Sequence, residues 1–177
     1  ATDPFNTVSF GSAAITLAGA KDLTVHTARK IDLQNSNLTT NTGDILLRAN
    51  QQAIPSTGNF EGIYSGNTVF ASTSGDITLE GRGGDTGDNQ HGITLNSSTK
   101  VGFGTTGNTT VKGKGGNTAG YSSHGVFVLN NSEIFSNGGA VLVDGTGGGQ
   151  GATSDNNYGV MLWIGGKVYN TGTGTGA

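Results

Sequence analysis

The chain has 177 residues, nine basic and twelve acidic side chains for a net charge of −3, 33 glycines and no cysteine. This excludes a disulfide-stapled domain, offers no basic stripe for nucleic acid and leaves no apolar run near the roughly 20 residues of a membrane-spanning helix. A hydrophobic content of 32% is low for a globular domain and suits a thin fold in which only alternate side chains face inward.

Residues 1–10 have neither the basic start nor the apolar stretch of a signal peptide, so a mature or excised piece is expected. Val8 and Ile15 read as two strands, b and c, of a partial coil. Leu23-Thr24-Val25 is then strand a of the next coil, Ile31-Asp32-Leu33 its strand b and Leu38 its strand c. This coil, residues 21–42, is short because only Ala28 to Lys30 separates its strands a and b.

From Gly43 the pattern settles to a step of 32 residues. Gly-Asp-Ile-Leu-Leu begins at Gly43, Gly-Asp-Ile-Thr-Leu at Gly75, Gly-Asn-Thr-Thr-Val at Gly107 and Gly-Ala-Val-Leu-Val at Gly139. Each unit repeats the order a, b, c. Strand b follows Gly62, Gly92, Gly125 and Gly159, and strand c centres on Val69, Val101, Ile134 and Val168. The alternation of apolar and polar residues is the period-2 signature of half-buried strands. A fixed step of this length marks stacked supersecondary units. The loops Asp85–Gln90, Asn117–Ser123 and Gly149–Asn157 vary in length while the strands keep their spacing, as insertions in a solenoid do.

The fold class is therefore all-β: a parallel β-helix of about five three-strand coils in a single segment, 1–177, with loops at the a–b corner and a frayed tail at 171–177. The short hexapeptide repeat of left-handed triangular helices is absent, which favours the right-handed form. Ile45, Leu47, Ile77, Leu79, Val111, Val141 and Val143 are expected inside from strands a, and Ile93, Leu95, Val126, Val128, Val160 and Leu162 from strands b. Charge supports the stacking. The position after strand a reads His26, Arg48, Glu80, Lys112, Asp144, and the position before strand c reads Lys100, Glu133, Lys167. Residues in such columns lie roughly 4.8 Å apart, and alternating sign there is favourable.

The stretch Ser74–Gly81 (Ser-Gly-Asp-Ile-Thr-Leu-Glu-Gly), the Gly-Gly pairs at 83–84, 115–116 and 147–148, and the phrase Ile-Thr-Leu-Ala-Gly-Ala-Lys-Asp-Leu-Thr-Val at Ile15–Val25 resemble the repeat regions of filamentous-hemagglutinin-like, two-partner-secretion bacterial exoproteins. The likeness extends over about residues 8–170. It implies a right-handed β-helical rod, extracellular or on the bacterial cell surface, that mediates adhesion. That family's secretion module carries Asn-Pro-Asn motifs. This chain, whose prolines are Pro4 and Pro55, has none, so it resembles the rod.

Candidate chemistry is sparse. Glu80 and Asp144 stand two coils apart, roughly 9.6 Å, near the upper separation of an inverting glycosidase pair. Lys112 between them and Arg48 beside them make a solvated charge ladder the simpler reading. Glu61, His91, His124 and Tyr158 share the place before the strand-b glycine. Stacked residues point in parallel and do not converge on a metal, so an aromatic column is expected. Asp85 and Asp88 lack the tandem nonapeptide of calcium repeats, and Gly113–Gly116 lacks the ending of a P-loop. Asn37, Asn96, Asn108 and Asn130 stand in Asn-x-Ser/Thr sequons, at the frequency that chance gives in so Ser/Thr/Asn-rich a chain.

One surface stands out. Phe127 and Met161 lie on one outward column of strand b, Leu129 and Trp163 on the next, and Tyr169 follows on strand c. A contiguous apolar patch is uncommon on a soluble monomer; cover by a loop such as Gly149–Asn157 or by the next coil is the favoured reading, and a binding surface for host or matrix glycans is the functional one. The expected function is a structural or adhesive rod segment without catalysis, cofactor or metal. A β-helix carbohydrate-active enzyme or glycan-binding module is the alternative. The expected partners are neighbouring coils of a longer parent or end-to-end copies of the chain itself.

Overall fold

The computed structural model describes residues 6–149 and 155–172. Its strands follow one another in a fixed rotation. The first turn is β1 (Thr7–Gly11), β2 (Ala14–Leu17) and β3 (Leu23–Thr27), and the second β4 (Lys30–Gln34), β5 (Asn37–Thr40) and β6 (Ile45–Ala49). Next come β7 (Ile63–Gly66), β8 (Val69–Ala71) and β9 (Ile77–Arg82), then β10 (Ile93–Asn96), β11 (Lys100–Phe103) and β12 (Thr109–Lys114). The chain closes with β13 (Val126–Leu129), β14 (Glu133–Ser136), β15 (Val141–Thr146), β16 (Val160–Trp163) and β17 (Lys167–Asn170). No described residue is helical.

Every third strand joins the same sheet. Sheet b has six strands, β1-β4-β7-β10-β13-β16, sheet c has six, β2-β5-β8-β11-β14-β17, and sheet a has five, β3-β6-β9-β12-β15. All pairings are parallel, and the registers stack Ile45, Ile77, Thr109 and Val141 in one column. The molecule is a parallel β-solenoid. Its core is a narrow stack of inward side chains: Ile31, Leu33, Ile63, Ile93, Leu95, Val126 and Val128 from sheet b, Ile45, Leu47, Ile77, Leu79 and Val111 from sheet a, and Leu38, Phe70, Val101 and Ile134 from sheet c.

The third position of the core on sheet c differs from expectation. Phe70 stacks between Leu38 and Val101, while Val69 sits in the outward column beside Lys100. A one-residue slip exchanges the two faces of a strand. Phe70 follows Ile63 by 7 residues where Val101 follows Ile93 by 8, so the corner before β8 is one residue shorter than the corner before β11. A separate bulge lies further on, between Val101 and Phe103. Gly102 occupies that bulge with φ of 100°, and an added Cβ would collide with the Phe135 carbonyl.

The Gly-Asp motif has a physical origin. At Gly75 and Gly139 a side chain would strike the carbonyl of Gly43 or Gly107, one coil earlier. The next residue then staples the coils together. The Asp44, Asp76, Asn108 and Ala140 N–H groups donate to Asp22, Asp44, Asp76 and Asn108 Oδ1, respectively, at 2.9, 2.8, 2.7 and 2.9 Å. Each side chain satisfies a backbone donor of the following coil.

At the a–b corner the end of one strand presses on the start of the next. Gly81, Gly113 and Gly145 meet the carbonyls of Gly92, Gly125 and Gly159 with no room for a Cβ. Beyond this pinch the inserted loops stack as well. Gly84 N–H donates to Phe60 O at 2.8 Å, Gly116 N–H to Gln90 O at 2.7 Å and Gly148 N–H to Ser123 O at 2.7 Å. Residues 150–154 of the third long loop and 173–177 of the expected tail lie outside the described residues. Thr171 of that tail still bonds to Ser136 O at 3.0 Å.

At the C-terminal turn the inward positions lose cover. Val160 is 41% and Leu162 48% exposed, whereas Val126 and Val128 one coil earlier are at 0%.

Candidate functional site

Three outer faces carry the candidate residues, and strand alternation assigns each side chain to its face. Sheet b carries the aromatic ones. Two places before the column Ile31, Ile63, Ile93, Val126 and Val160 stand Arg29, Glu61, His91, His124 and Tyr158. The imidazoles of His91 and His124 stack with centroids 4.9 Å apart and planes 15° from parallel. His124 N–H donates to His91 Nδ1 at 3.1 Å, and Tyr158 N–H donates to His124 Nδ1 at 3.3 Å. Both rings thus use Nδ1 as acceptor and carry their proton on Nε2. Burial, with the neighbouring His124, pushes His91 down to about 3, and burial also lowers His124. Burial pushes the Glu61 carboxyl up. The Thr94 hydroxyl hydrogen-bonds to the Glu61 carboxyl and opposes that rise. Arg29 keeps its charge and lies over the Phe60 ring at 4.7 Å, while the rings of His91, His124 and Tyr158 form a continuous column.

The expected apolar surface is assembled in part. Phe127 stacks on Trp163 at 6.1 Å and 16°, and its ring also meets His91 and His124 edge-on at 5.2 and 4.9 Å. Trp163 is 53% exposed and Met161 half-buried beside it, while Leu129 is covered, at 9%. Tyr169 belongs to another face. It lies on sheet c, stacks on Phe135 at 5.1 Å and donates its hydroxyl proton to Glu133 Oε2 at 3.0 Å. The sequence reading missed Ile164, which adopts a φ of 45° and is exposed. A β-branched residue is rare in that conformation. The equivalent corner residues Asn35, Asn67 and Asn130 take it readily at 51°, 50° and 51°.

Sheets a and c carry the charges, and both expected columns exist in register. His26 neighbours Arg48, Arg48 neighbours Glu80, and Lys112 lies between Glu80 and Asp144. Lys100, Glu133 and Lys167 are consecutive. Arg48 Nε sits 2.7 Å from Glu80 Oε2 and Lys167 Nζ 3.1 Å from Glu133 Oε1. Glu133 is held below the usual carboxylate range: burial pulls it up, but the Lys167 and Tyr169 hydrogen bonds and the nearby lysine charges prevail.

Shallow grooves open beside the a–b corner. One, of about 160 Å³, is lined by Gln51, Gly81, Lys112, Gly113, Lys114, Asp144 and Thr146. A second, of about 200 Å³, is lined by residues that include Arg82, Gly83, Gly84 and Asp85. Asp85 and Asp88 act as loop staples: Asp85 Oδ1 accepts from Gly58 N–H at 2.7 Å and Asp88 Oδ1 from Tyr121 N–H at 3.1 Å. Among the described residues no three His, Cys, Asp or Glu side chains are grouped to hold a metal. Of the sequon asparagines, Asn96 donates to the Tyr64 hydroxyl at 3.2 Å and Asn130 to Asn96 Oδ1 at 2.8 Å.

Fold and faces together define a parallel β-solenoid whose outer surface is organised as ladders of like position. No protein-family model, no curated protein and no solved structure matches the chain. No described helix is long and apolar enough to cross a membrane.

Proposed function

We propose that the chain is a structural and adhesive rod segment of a large bacterial exoprotein of the filamentous-hemagglutinin-like kind, working at the cell surface or outside the cell. The observation that carries this reading is the arrangement of the polar groups. They run in columns along the rod, with Glu80 and Asp144 separated in register by Lys112 and Glu80 held by Arg48. Columns of this kind provide a long, regular surface for contact. Neighbouring coils of a longer parent, or copies of the chain stacked end to end, are the proposed partners, and the exposed apolar Val160, Leu162 and Val168 are positions that such a coil would cover.

A glycan-binding module is the second reading, and the Phe127–Trp163 stack favours it, since an exposed aromatic plane suits a sugar ring. A panel of immobilised glycans and matrix proteins tests both, with release of reducing ends measured on the same glycans. Saturable binding without cleavage supports the adhesive reading. Turnover that disappears in Glu80→Gln or Asp144→Asn overturns it in favour of an enzyme.

A further inference from the structure

The turn that carries the chain from sheet c to sheet a is built alike in four coils, as Thr40–Gly43, Ser72–Gly75, Thr105–Gly107 and Ser136–Gly139. A hydroxyl opens each turn and bonds to the glycine that closes it. Thr40 Oγ1 donates to Gly43 O at 2.6 Å, while Ser72 Oγ, Thr105 Oγ1 and Ser136 Oγ accept from the N–H groups of Gly75, Gly107 and Gly139 at 2.9 Å. Between these ends stand Asn41-Thr42, Thr73-Ser74, Thr106 and Asn137-Gly138. The last is the only Asn-Gly pair in the sequence. Gly139 has no room for a Cβ, which would strike the Gly107 carbonyl. Gly138 is different. Its φ lies outside the left-handed region, and a Cβ there would come no closer than 3.5 Å to Thr106, an ordinary contact. Neither space nor backbone conformation requires glycine at 138, where other coils place Thr42 and Ser74.

We propose that Asn137-Gly138 is a self-modification site, at which the folded rod converts its own asparagine to aspartate and isoaspartate. Solvent hydroxide takes the proton of the Gly138 amide, and that nitrogen attacks Asn137 Cγ. The Cγ–Nδ2 bond breaks, ammonia leaves, and a succinimide ring remains. Water then opens the ring at either carbonyl. Opening at Cγ gives aspartate. Opening at the main-chain carbonyl gives isoaspartate, whose main chain runs through Cβ and Cγ. Three features suit the first step. Asn137 is exposed to the solvent base. A glycine after it leaves the attacking nitrogen unhindered and the backbone free to turn. The Thr171 hydroxyl donates to Asn137 Oδ1 at 2.8 Å, the oxygen on which negative charge gathers during attack. The product changes the coil. Thr171 N–H bonds to Ser136 O at 3.0 Å and Asn170 Nδ2 to Gly139 O at 2.6 Å across this same turn. Isoaspartate lengthens the main chain between those two carbonyls by one atom, so it loosens the hold of the last coil on the turn before β15.

The test is a time course of the intact chain at mildly alkaline pH, folded and in urea. Peptide mapping by mass spectrometry follows each asparagine, and enzymatic methylation detects isoaspartate. Asn41 is the internal control, since it is exposed in the same kind of turn but precedes the β-branched Thr42. Asn137 should convert in the folded chain while Asn41 stays an amide. Gly138→Ser, which copies Ser74, should melt with the parent chain and slow the conversion by on the order of tenfold or more, because a side chain hinders the near-attack geometry. Thr171→Val should slow conversion in the folded chain and leave the rate in urea unchanged. Asn137 that converts in urea but stays intact in the folded chain overturns the proposal. Conversion no faster than that of Asn41, or an equal rate in Gly138→Ser, overturns it too. An unchanged or higher rate in folded Thr171→Val overturns the part given to Thr171.

Discussion

Acid should weaken this protein through two stacked, buried imidazoles, His91 above all. His91 is 5% exposed, stacked on His124 and held neutral by the bond it accepts from the His124 N–H. Its pKa is pushed down to about 3, by burial first and by His124 second, against roughly 6.5 in an unfolded chain. The unfolded state thus binds a proton between those values and the folded state does not. Stability from this group is complete above about pH 6.5 and falls as the pH drops toward 3. Each pH unit is worth about 1.4 kcal/mol, which gives a loss of about 2 kcal/mol at pH 5 and up to about 5 kcal/mol near pH 3. Glu61 in the same column works in the opposite sense. Burial raises its carboxyl, so its contribution grows as the pH falls toward its unfolded value near 4.3 and offsets part of the loss. Urea unfolding at a series of pH values from 7 to 4 measures the slope. His91→Gln isolates the group, because it keeps an acceptor for the His124 N–H and does not titrate. The wild-type curve should fall more steeply than the variant's by about 3 kcal/mol over that range, since Glu61 acts alike in both. Parallel curves, or an imidazole signal of His91 that titrates near pH 6.5, would refute the reasoning.

Three further predictions follow from the ladders. Lys112→Glu places three acids in one column with Glu80 and Asp144. It should cost about 1 kcal/mol per unfavourable neighbour at low salt, an effect that shrinks as salt screens it; an unchanged or higher melting temperature at low salt contradicts it. Asp76→Ala leaves the Asn108 N–H without its acceptor and should cost about 1–2 kcal/mol, while Asp76→Asn keeps the bond and should cost much less, both read by urea unfolding. Gly113→Ala drives a Cβ into the Gly125 carbonyl, and overpacking at so tight a contact should cost about 1–3 kcal/mol or more. Full stability of that variant would show that the corner has more room than the structure allows.

The rod was readable because its two periods are simple. Alternation assigns in and out along a strand, and the 32-residue step assigns neighbours between coils, so the core columns and both charge columns followed directly. Val69 and Phe70 show the limit. The slip comes from the corner before β8, which is one residue shorter than the corner before β11, and a turn one residue shorter leaves no mark where Val69 and Phe70 are both apolar. Leu129 and Tyr169 show another. Alternation places both outward, but cover over Leu129 depends on its neighbours in space, and Tyr169 is carried to a different face by the turn after Gly165. Arg29 belongs to the His91 column and was passed over because its coil is ten residues shorter than the 32-residue step. The Asp22–Asp44–Asp76–Asn108 staple was present in the Gly-Asp motif itself, since a small acceptor at a fixed place in each coil has a backbone donor one coil further on.

Adhesion itself is the most direct measurement. Beads carrying the chain at known density are settled on epithelial monolayers and on matrix-coated glass, and detachment under flow is compared with beads carrying an unrelated β-solenoid of the same length. Saturable attachment that soluble chain competes away is the result expected of an adhesive rod. Attachment no greater than that of the unrelated solenoid on every surface would contradict it.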